Sequence, residues 1–136
     1  MRLVVLDTSV IVSASISSVG PPAKIITNWV SGGTVHIVTS PRVVAEYREV
    51  VRRAKFYRYK LPPLWLESLI EESTKLPDSN GWLYACPDPK DTPFLALAHA
   101  AGAWLVTGNP RHFPETVRNG VTVLSPADYL AHLAGE

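Results

Sequence analysis

The chain has 136 residues, a formal net charge of +1, 46% hydrophobic and 18% charged residues, and a single cysteine, Cys86. That is one domain with one core of its own, not a disordered, collagen-like or coiled-coil chain. It holds no internal disulfide framework and no cysteine-based zinc site, which fits a reducing cytosol.

The opening run Arg2-Leu-Val-Val-Leu-Asp7 is short, apolar and rich in branched residues, so it predicts a strand buried on both faces. It is too short for a signal-peptide core or a membrane span, and a soluble, cytoplasmic single domain over residues 1–136 is expected. Thr8 to Ile16 predicts a helix. Pro21-Pro22 opens a second one, carrying Ile25, Ile26, Trp29 and Val30, and Gly32-Gly33 stops it. Thr34 to Thr39 predicts the second strand. Ser40-Pro41 starts a third helix, with Ser40 as N-cap and Pro41 in the first turn. This helix runs to about Ala54 with an apolar stripe of Val43, Val44, Tyr47, Val50 and Val51. Leu64 to Lys75 predicts another helix that buries Leu66, Leu69 and Ile70 and shows Glu67, Glu71 and Glu72 to solvent.

Residues 76–90 are dense in turn formers and predict a loop. Thr92 to Ala101 is a helix stopped by Gly102. Ala103 to Thr107 and Val121 to Leu124 predict two more strands, and Ser125-Pro126-Ala-Asp128 caps a last helix through Leu133. Alternation of strands and helices predicts an α/β architecture with a mainly parallel sheet and right-handed crossovers.

Ligands of open parallel sheets bind beyond the carboxyl ends of the strands. Asp7 ends the first strand, and Asn109 follows the third after Thr107-Gly108, so both belong to one rim. Each also has a plain structural use: Asp7 as a cap for the next helix, Asn109 as part of an Asn-Pro turn. Asp91 stands at the start of the helix carrying Phe94, Leu95, Ala98 and Ala101, and at about 100° per residue it projects along that apolar stripe. A carboxylate there must cap, pair or bind a cation, because an unpaired buried charge is expensive. Asp88 and Thr92 compete with Asp91 as caps. Glu46 lies on the flank of the third helix's apolar stripe, as a solvated residue or as a third acid of the rim. Oxygen donors alone suit hard ions such as Mg²⁺ or Mn²⁺, and clustered carboxylates need such an ion to offset their repulsion.

In these residues the chain resembles the PIN-domain nucleases, most closely the toxin components of VapC-type toxin–antitoxin pairs. The family's first acid is similar to Asp7 in Val5-Leu6-Asp7-Thr8-Ser9, and its helical Glu to Glu46 in Val43-Val44-Ala45-Glu46-Tyr47. Its second Asp resembles Asp91 in Asp91-Thr-Pro-Phe-Leu-Ala-Leu-Ala98. The T-x-D/N element resembles Thr107-Gly108-Asn109, followed by Phe113. The resemblance covers essentially the whole chain. It implies a three-layer α/β/α fold around a mainly parallel sheet of four or five strands. It also implies a metal-dependent endoribonuclease, a homodimer, and a cognate antitoxin as partner. Asp7, Glu46 and Asp91 would hold the metal, with Asn109 supporting and Thr8, Ser9 or Thr107 as hydroxyl helpers. The chain departs from the family in having Asn109 where many members carry Asp, and His112 where a variant carries another acid. His112 is read as an ordinary surface histidine.

Residues 42–60 hold seven Lys or Arg against Glu46 and Glu49, a net of +5, with Phe56, Tyr57 and Tyr59 interleaved. Cations for phosphates and rings for bases make this a candidate RNA surface, a solvated face or dimer contact being the alternative. His36 and His99 read as structural, His132 as a partner of its helix's C-terminal dipole, and Cys86 as lacking a base to activate it. The resulting expectation is Mg²⁺- or Mn²⁺-dependent RNA hydrolysis at Asp7, Glu46, Asp91 and Asn109. The alternative is a catalytically weak binding module of the same fold.

Overall fold

The structure is a computed structural model that describes residues 3–30, 32, 34–53, 64–79, 82 and 85–135. Its five strands are β1 (Leu3–Leu6), β2 (His36–Thr39), β3 (Thr74–Lys75), β4 (Trp104–Val106) and β5 (Val123–Leu124). They form one sheet in the order β3-β2-β1-β4-β5, and every pair is parallel. Among the described residues seven α-helices surround it: α1 (Thr8–Ile16), α2 (Pro21–Val30), α3 (Pro41–Val51), α4 (Trp65–Glu72), α5 (Thr92–Ala101), α6 (Glu115–Arg118) and α7 (Pro126–Ala134). The chain steps one way along the sheet from β1 to β3, then returns past β1 to β4 and β5. Right-handed crossovers taken in opposite directions cover both faces with helices, which gives the expected three-layer α/β/α fold.

The central strands are buried on both sides: Val4, Val5, Leu6, Leu105 and Val106 have no exposed surface. This is what all-parallel sheets require, and it explains runs of apolar residues without alternation. Helix α5 lies over β1, β2 and β4, while α1 packs on α2 and α3, and α2 on α7. No single helix among the described residues is long and apolar enough to cross a membrane.

Three local expectations are corrected. The helix predicted over Leu64 to Lys75 stops at Glu72, and Thr74–Lys75 pairs with Val38 and Thr39 as the edge strand β3. Two exposed residues give too little pattern to read as a strand. Helix α3 ends at Val51, with Arg52 as its C-cap; position 54 lies outside the described residues. Ser40 holds the N-cap place of α3 but makes no side-chain cap bond. Pro41 brings no N–H, and the next one, on Arg42, donates instead to Asp78 Oδ1 at 3.0 Å, from a loop 36 residues later. Gly102 behaves as expected, ending α5 in the left-handed conformation at φ +64°.

Candidate active site

The direction of chain progression reverses between β1 and β4, so the sheet's switch point lies between the ends Leu6 and Val106. Open α/β sheets form their binding crevice there. Asp7 follows Leu6 and is tied across the gap by its N–H to the Val106 carbonyl at 2.9 Å. Its carboxylate is buried, and Oδ2 accepts from Ser9 Oγ at 2.7 Å and from Thr107 Oγ1 at 2.8 Å. Both hydroxyls are themselves held by backbone: Gly108 N–H donates to Ser9 Oγ at 2.9 Å, and Asn109 N–H to Thr107 Oγ1 at 3.0 Å. Each hydroxyl spends its one proton on Asp7 and accepts a backbone proton in return, so the ring of bonds has one sense. Gly108 makes the close approach possible, since a Cβ there would stand 3.3 Å from Ser9 Oγ. Asp7 makes no side-chain cap bond to α1, which disposes of its purely capping use.

Asp91 reaches the same place from the other side of the chain. The short turn Pro89–Asp91 leads into α5, and Asp88 caps it by accepting from Lys90 N–H at 3.0 Å. Asp91, at the N-cap place of α5, makes no cap bond. Its side chain is 14% exposed, and Oδ2 is buried without a hydrogen-bond partner. Desolvation raises its pKa from 3.8 to about 6; the charge of Asp7 adds to this, His112 opposes it, and Asp88 and Glu46 contribute smaller pushes upward. Asp91 thus lies within electrostatic reach of both Asp7 and Glu46, like charges that disfavour its ionisation.

Tyr47 supplies the frame. It is wholly buried, its hydroxyl donates to the Leu6 carbonyl beside Asp7, and its ring lies 6.2 Å from that of Phe94. One side chain therefore joins α3, the end of β1 and α5; Glu46 stands one residue from Tyr47, and Asp91 three residues from Phe94. Its phenol is pushed far above the ordinary range, by burial first and by Asp7 second, so it stays a proton donor.

The other candidates are placed unequally. Asn109 is exposed, its carboxamide makes no cap bond to the turn Pro110–His112, and only its backbone enters the Asp7 network. Thr8 Oγ1 is buried with no hydrogen-bond partner and makes no bond to Asp7. His112 is half exposed, and its Nδ1 lies 3.3 Å from Asp91 Oδ2. Fully buried Phe113 anchors the turn that presents it. The only sequence cue was spacing: three residues after Asn109 and next to an apolar anchor. Cys86 is buried beside the cluster. Its thiol is pushed up by burial, Thr92 opposes this through a hydrogen bond, and Asp91, Asp7 and Asp88 add to it, which suits the absence of a nucleophilic role.

Among the described residues no three His, Cys, Asp or Glu side chains converge as a preformed metal cage. The donors nevertheless fit a hard divalent ion, because Mg²⁺ is held by one or two carboxylates and keeps several waters. A buried Asp91 oxygen that makes no hydrogen bond and feels the charge of Asp7, with His112 beside it, is the observation that supports this fit. A cavity of about 540 Å³, lined by Trp29, Val35, His36 and Trp65, lies at the opposite end of the sheet and carries a single acid, Glu72. Charge and topology, not cavity size, locate the site.

The PIN domain family profile matches residues 3–111, a stretch that includes Asp7, Glu46, Asp91 and Asn109. The chain belongs to the PIN domain family. PIN domains are generally nucleases, which agrees with acids gathered at the strand-end rim of this one. A solved structure described as FitAB bound to an IR36 DNA fragment matches 90% of this PIN domain and 94% of that chain, with a TM-score of 0.55 at 19% identity. It shows the same fold. Comparison with curated proteins gives no match.

Proposed function

We propose that this PIN domain is a metal-dependent endoribonuclease, acting as the toxin of a toxin–antitoxin pair, with Asp7 and Asp91 as metal ligands. The observation that carries the proposal is the buried Asp91 Oδ2, which makes no hydrogen bond and lies within electrostatic reach of the hydrogen-bonded Asp7 at the switch point. A divalent ion bound there supplies Lewis acidity, offsetting phosphate charge and lowering the pKa of the attacking water.

The chain's residues do the rest. Ser9 and Thr107 fix the Asp7 carboxylate, so it need not reorganise on binding. Glu46, partly exposed at the flank of α3, accepts a proton from water or completes the ligand set. Asn109 brings an uncharged carboxamide to the rim for the phosphate or for a bound water. Arg52 and Arg53 are exposed on the helix end that carries Glu46 and offer phosphate contacts. Arg48 is engaged instead with Glu67, at 2.7 and 3.1 Å. The aromatic part of the basic segment, Phe56, Tyr57 and Tyr59, lies outside the described residues.

A protein partner is supported by large apolar side chains left in water: Ile16 at 48%, Val19 at 76% and Leu64 at 90% exposure. With the Trp29–Trp65 groove, they offer surface for a homodimer contact and for an antitoxin.

The test is cleavage of a labelled mixed RNA in EDTA, Mg²⁺ or Mn²⁺, with Asp7→Asn and Asp91→Asn proteins in parallel. Metal-dependent cleavage lost in both variants supports the proposal; equal cleavage by the variants defeats it. A DNA substrate in the same series addresses the nucleic acid that FitAB is described as binding. RNA binding without cleavage would favour the catalytically weak module.

A further inference from the structure

The strand-end rim carries a second feature that the proposed chemistry does not use. A cavity of about 310 Å³ opens between the start of α3, the start of α5 and the loop that joins β3 to the turn Pro89–Asp91. It is walled by Arg42, Trp82, Pro89, Thr92, Pro93 and Ala96. Helix α3 follows the carboxyl end of β2, and α5 starts beside Asp91, so both helix starts belong to the rim. At about 100° per residue, Thr92, Pro93 and Ala96 fall on the side of α5 turned away from Asp91. The cavity and the Asp91 carboxylate thus lie back to back across the first turn of one helix.

The walls are fixed by contacts of their own. The Trp82 ring stands 5.0 Å from that of His99, tilted by 59°. Asp78 Oδ1 accepts from Arg42 N–H at 3.0 Å, and Thr92 Oγ1 from Cys86 N–H at 3.1 Å, so the loop is tied to both helices on either side of Trp82. An indole and two prolines offer flat apolar surface, and Arg42 is the only charge among the described lining residues. Arg42 is exposed, and among the described residues its guanidinium enters no ion pair. A slot of this kind suits a nucleobase with its phosphate, because every base has a face to stack and the cation takes the phosphate. The cavity beside Trp29 and Trp65 also has indoles, but it carries the acid Glu72, which repels phosphate.

We propose that this cavity is a base subsite, in which Trp82 stacks on a nucleobase next to the scissile phosphate of single-stranded RNA and Arg42 holds that nucleotide's phosphate. The inference rests on the nuclease reading of the rim. Stacking is equally available to the bound substrate and to the transition state, so the subsite acts on KM and leaves kcat. Any base can stack, so it selects unpaired strands before it selects sequence.

The full chain is titrated in EDTA with a short, fluorescently labelled single-stranded RNA of mixed sequence and with an abasic strand of the same length. Parent, Trp82→Ala, Trp82→Phe and Arg42→Gln are compared, with Lys24→Gln on α2 as a charge control and matching melting curves required of each. The parent should bind the RNA about tenfold more tightly than the abasic strand; Trp82→Ala should lose that preference and Trp82→Phe should keep most of it. Arg42→Gln should reduce the slope of log K against log salt by about 0.7, and Lys24→Gln should leave it unchanged. With Mg²⁺ or Mn²⁺ present, Trp82→Ala should raise KM for cleavage about tenfold with kcat within about twofold. Equal binding of the two strands by the parent, a preference that survives in Trp82→Ala, a loss as complete in Trp82→Phe, or an unchanged slope in Arg42→Gln overturns the subsite. Should Trp82→Ala not fold, the strand comparison in the parent and the Arg42→Gln slope still decide. If these tests fail while the parent cleaves RNA with metal and Asp7→Asn does not, only the subsite is lost. If the parent shows the full binding pattern but cleaves nothing, the base-binding site stands and the nuclease reading fails.

Discussion

Replacing Asp91 with Asn should stabilise the metal-free protein while removing its response to metal. In the parent, Asp91 has a buried Oδ2 that makes no hydrogen bond and a pKa raised from 3.8 to about 6, by desolvation first and by the charge of Asp7 second, against the opposing effect of His112. A raised pKa means that the folded state holds its proton more tightly than the unfolded one. The stability this contributes is complete below about pH 3.8 and declines as pH rises through about 6. At pH 7.5 the folded parent carries the full cost of an ionised, poorly solvated carboxylate. Without screening that cost would be about 3 kcal/mol. Contact of the side chain with solvent reduces it to roughly 1.5 kcal/mol. For 136 residues this corresponds to a rise of about 5 °C in Tm.

The assay is thermal unfolding of parent and Asp91→Asn between pH 4 and 8 in EDTA, followed by circular dichroism. The variant should melt higher at pH 7.5, and the gap should close as pH falls towards 4. Saturating Mg²⁺ should then reverse the order, because an ion at about 100 times its Kd adds about 2.7 kcal/mol to the parent alone. A variant that melts at or below the parent in EDTA at pH 7.5, or a gap that does not change with pH, refutes the electrostatic account.

Three further substitutions test the frame around the carboxylates. Tyr47→Phe leaves the buried Leu6 carbonyl without the phenol donor and should cost about 1–3 kcal/mol, read by urea denaturation. A loss below about 0.5 kcal/mol would mean that the bond does not hold the end of β1. Thr107→Val keeps the shape but removes one donor to Asp7 Oδ2 and the acceptor for Asn109 N–H; stability should fall by about 1–3 kcal/mol and Mg²⁺ affinity should weaken with it, measured by calorimetric titration. Unchanged metal affinity would show that Asp7 needs no such support. Arg48→Ala breaks a bidentate but exposed pair with Glu67 and should move stability by no more than about 1 kcal/mol; a larger drop in the melting curve would mean that the pair is less screened than its exposure indicates.

What the sequence made legible was what local chemistry determines alone. A short branched run ending in Asp, a Pro-initiated helix with a period near 3.6, and a Gly after Ala101 each have one favourable reading, and β1, α3 and the end of α5 appear accordingly. The two-residue edge strand β3 did not, since its pairing depends on Val38 and Thr39, which lie 36 residues earlier in the chain. Asp78 capping α3 in place of Ser40 was hidden for the same reason. Residues of the site divide along this line. Asp7 and Asp91 were visible because a strand-end acid and an acid in line with an apolar stripe both need explaining. The hydroxyl of Tyr47 was not, because a tyrosine in a stripe is explained once it is buried.

His112 shows where local reading stops. A histidine in a Pro-Arg-His turn has no local reason to matter, and half of its surface is indeed in water. Its contact with Asp91 depends on where Asp91 stands, and Asp91 is not used as a cap, Asp88 taking that place on the preceding turn. The same dependence orders the whole site. Asp88 releases Asp91 from capping, Tyr47 sets α3 and α5 against the end of β1, and the Ser9–Thr107 pair immobilises Asp7. Remove any one of these and the carboxylates remain in the sequence but lose the placement that sets their charges against each other. The conflict, more than the residue types, distinguishes a site from a set of acids, and it can be measured in the metal-free protein before any substrate is found.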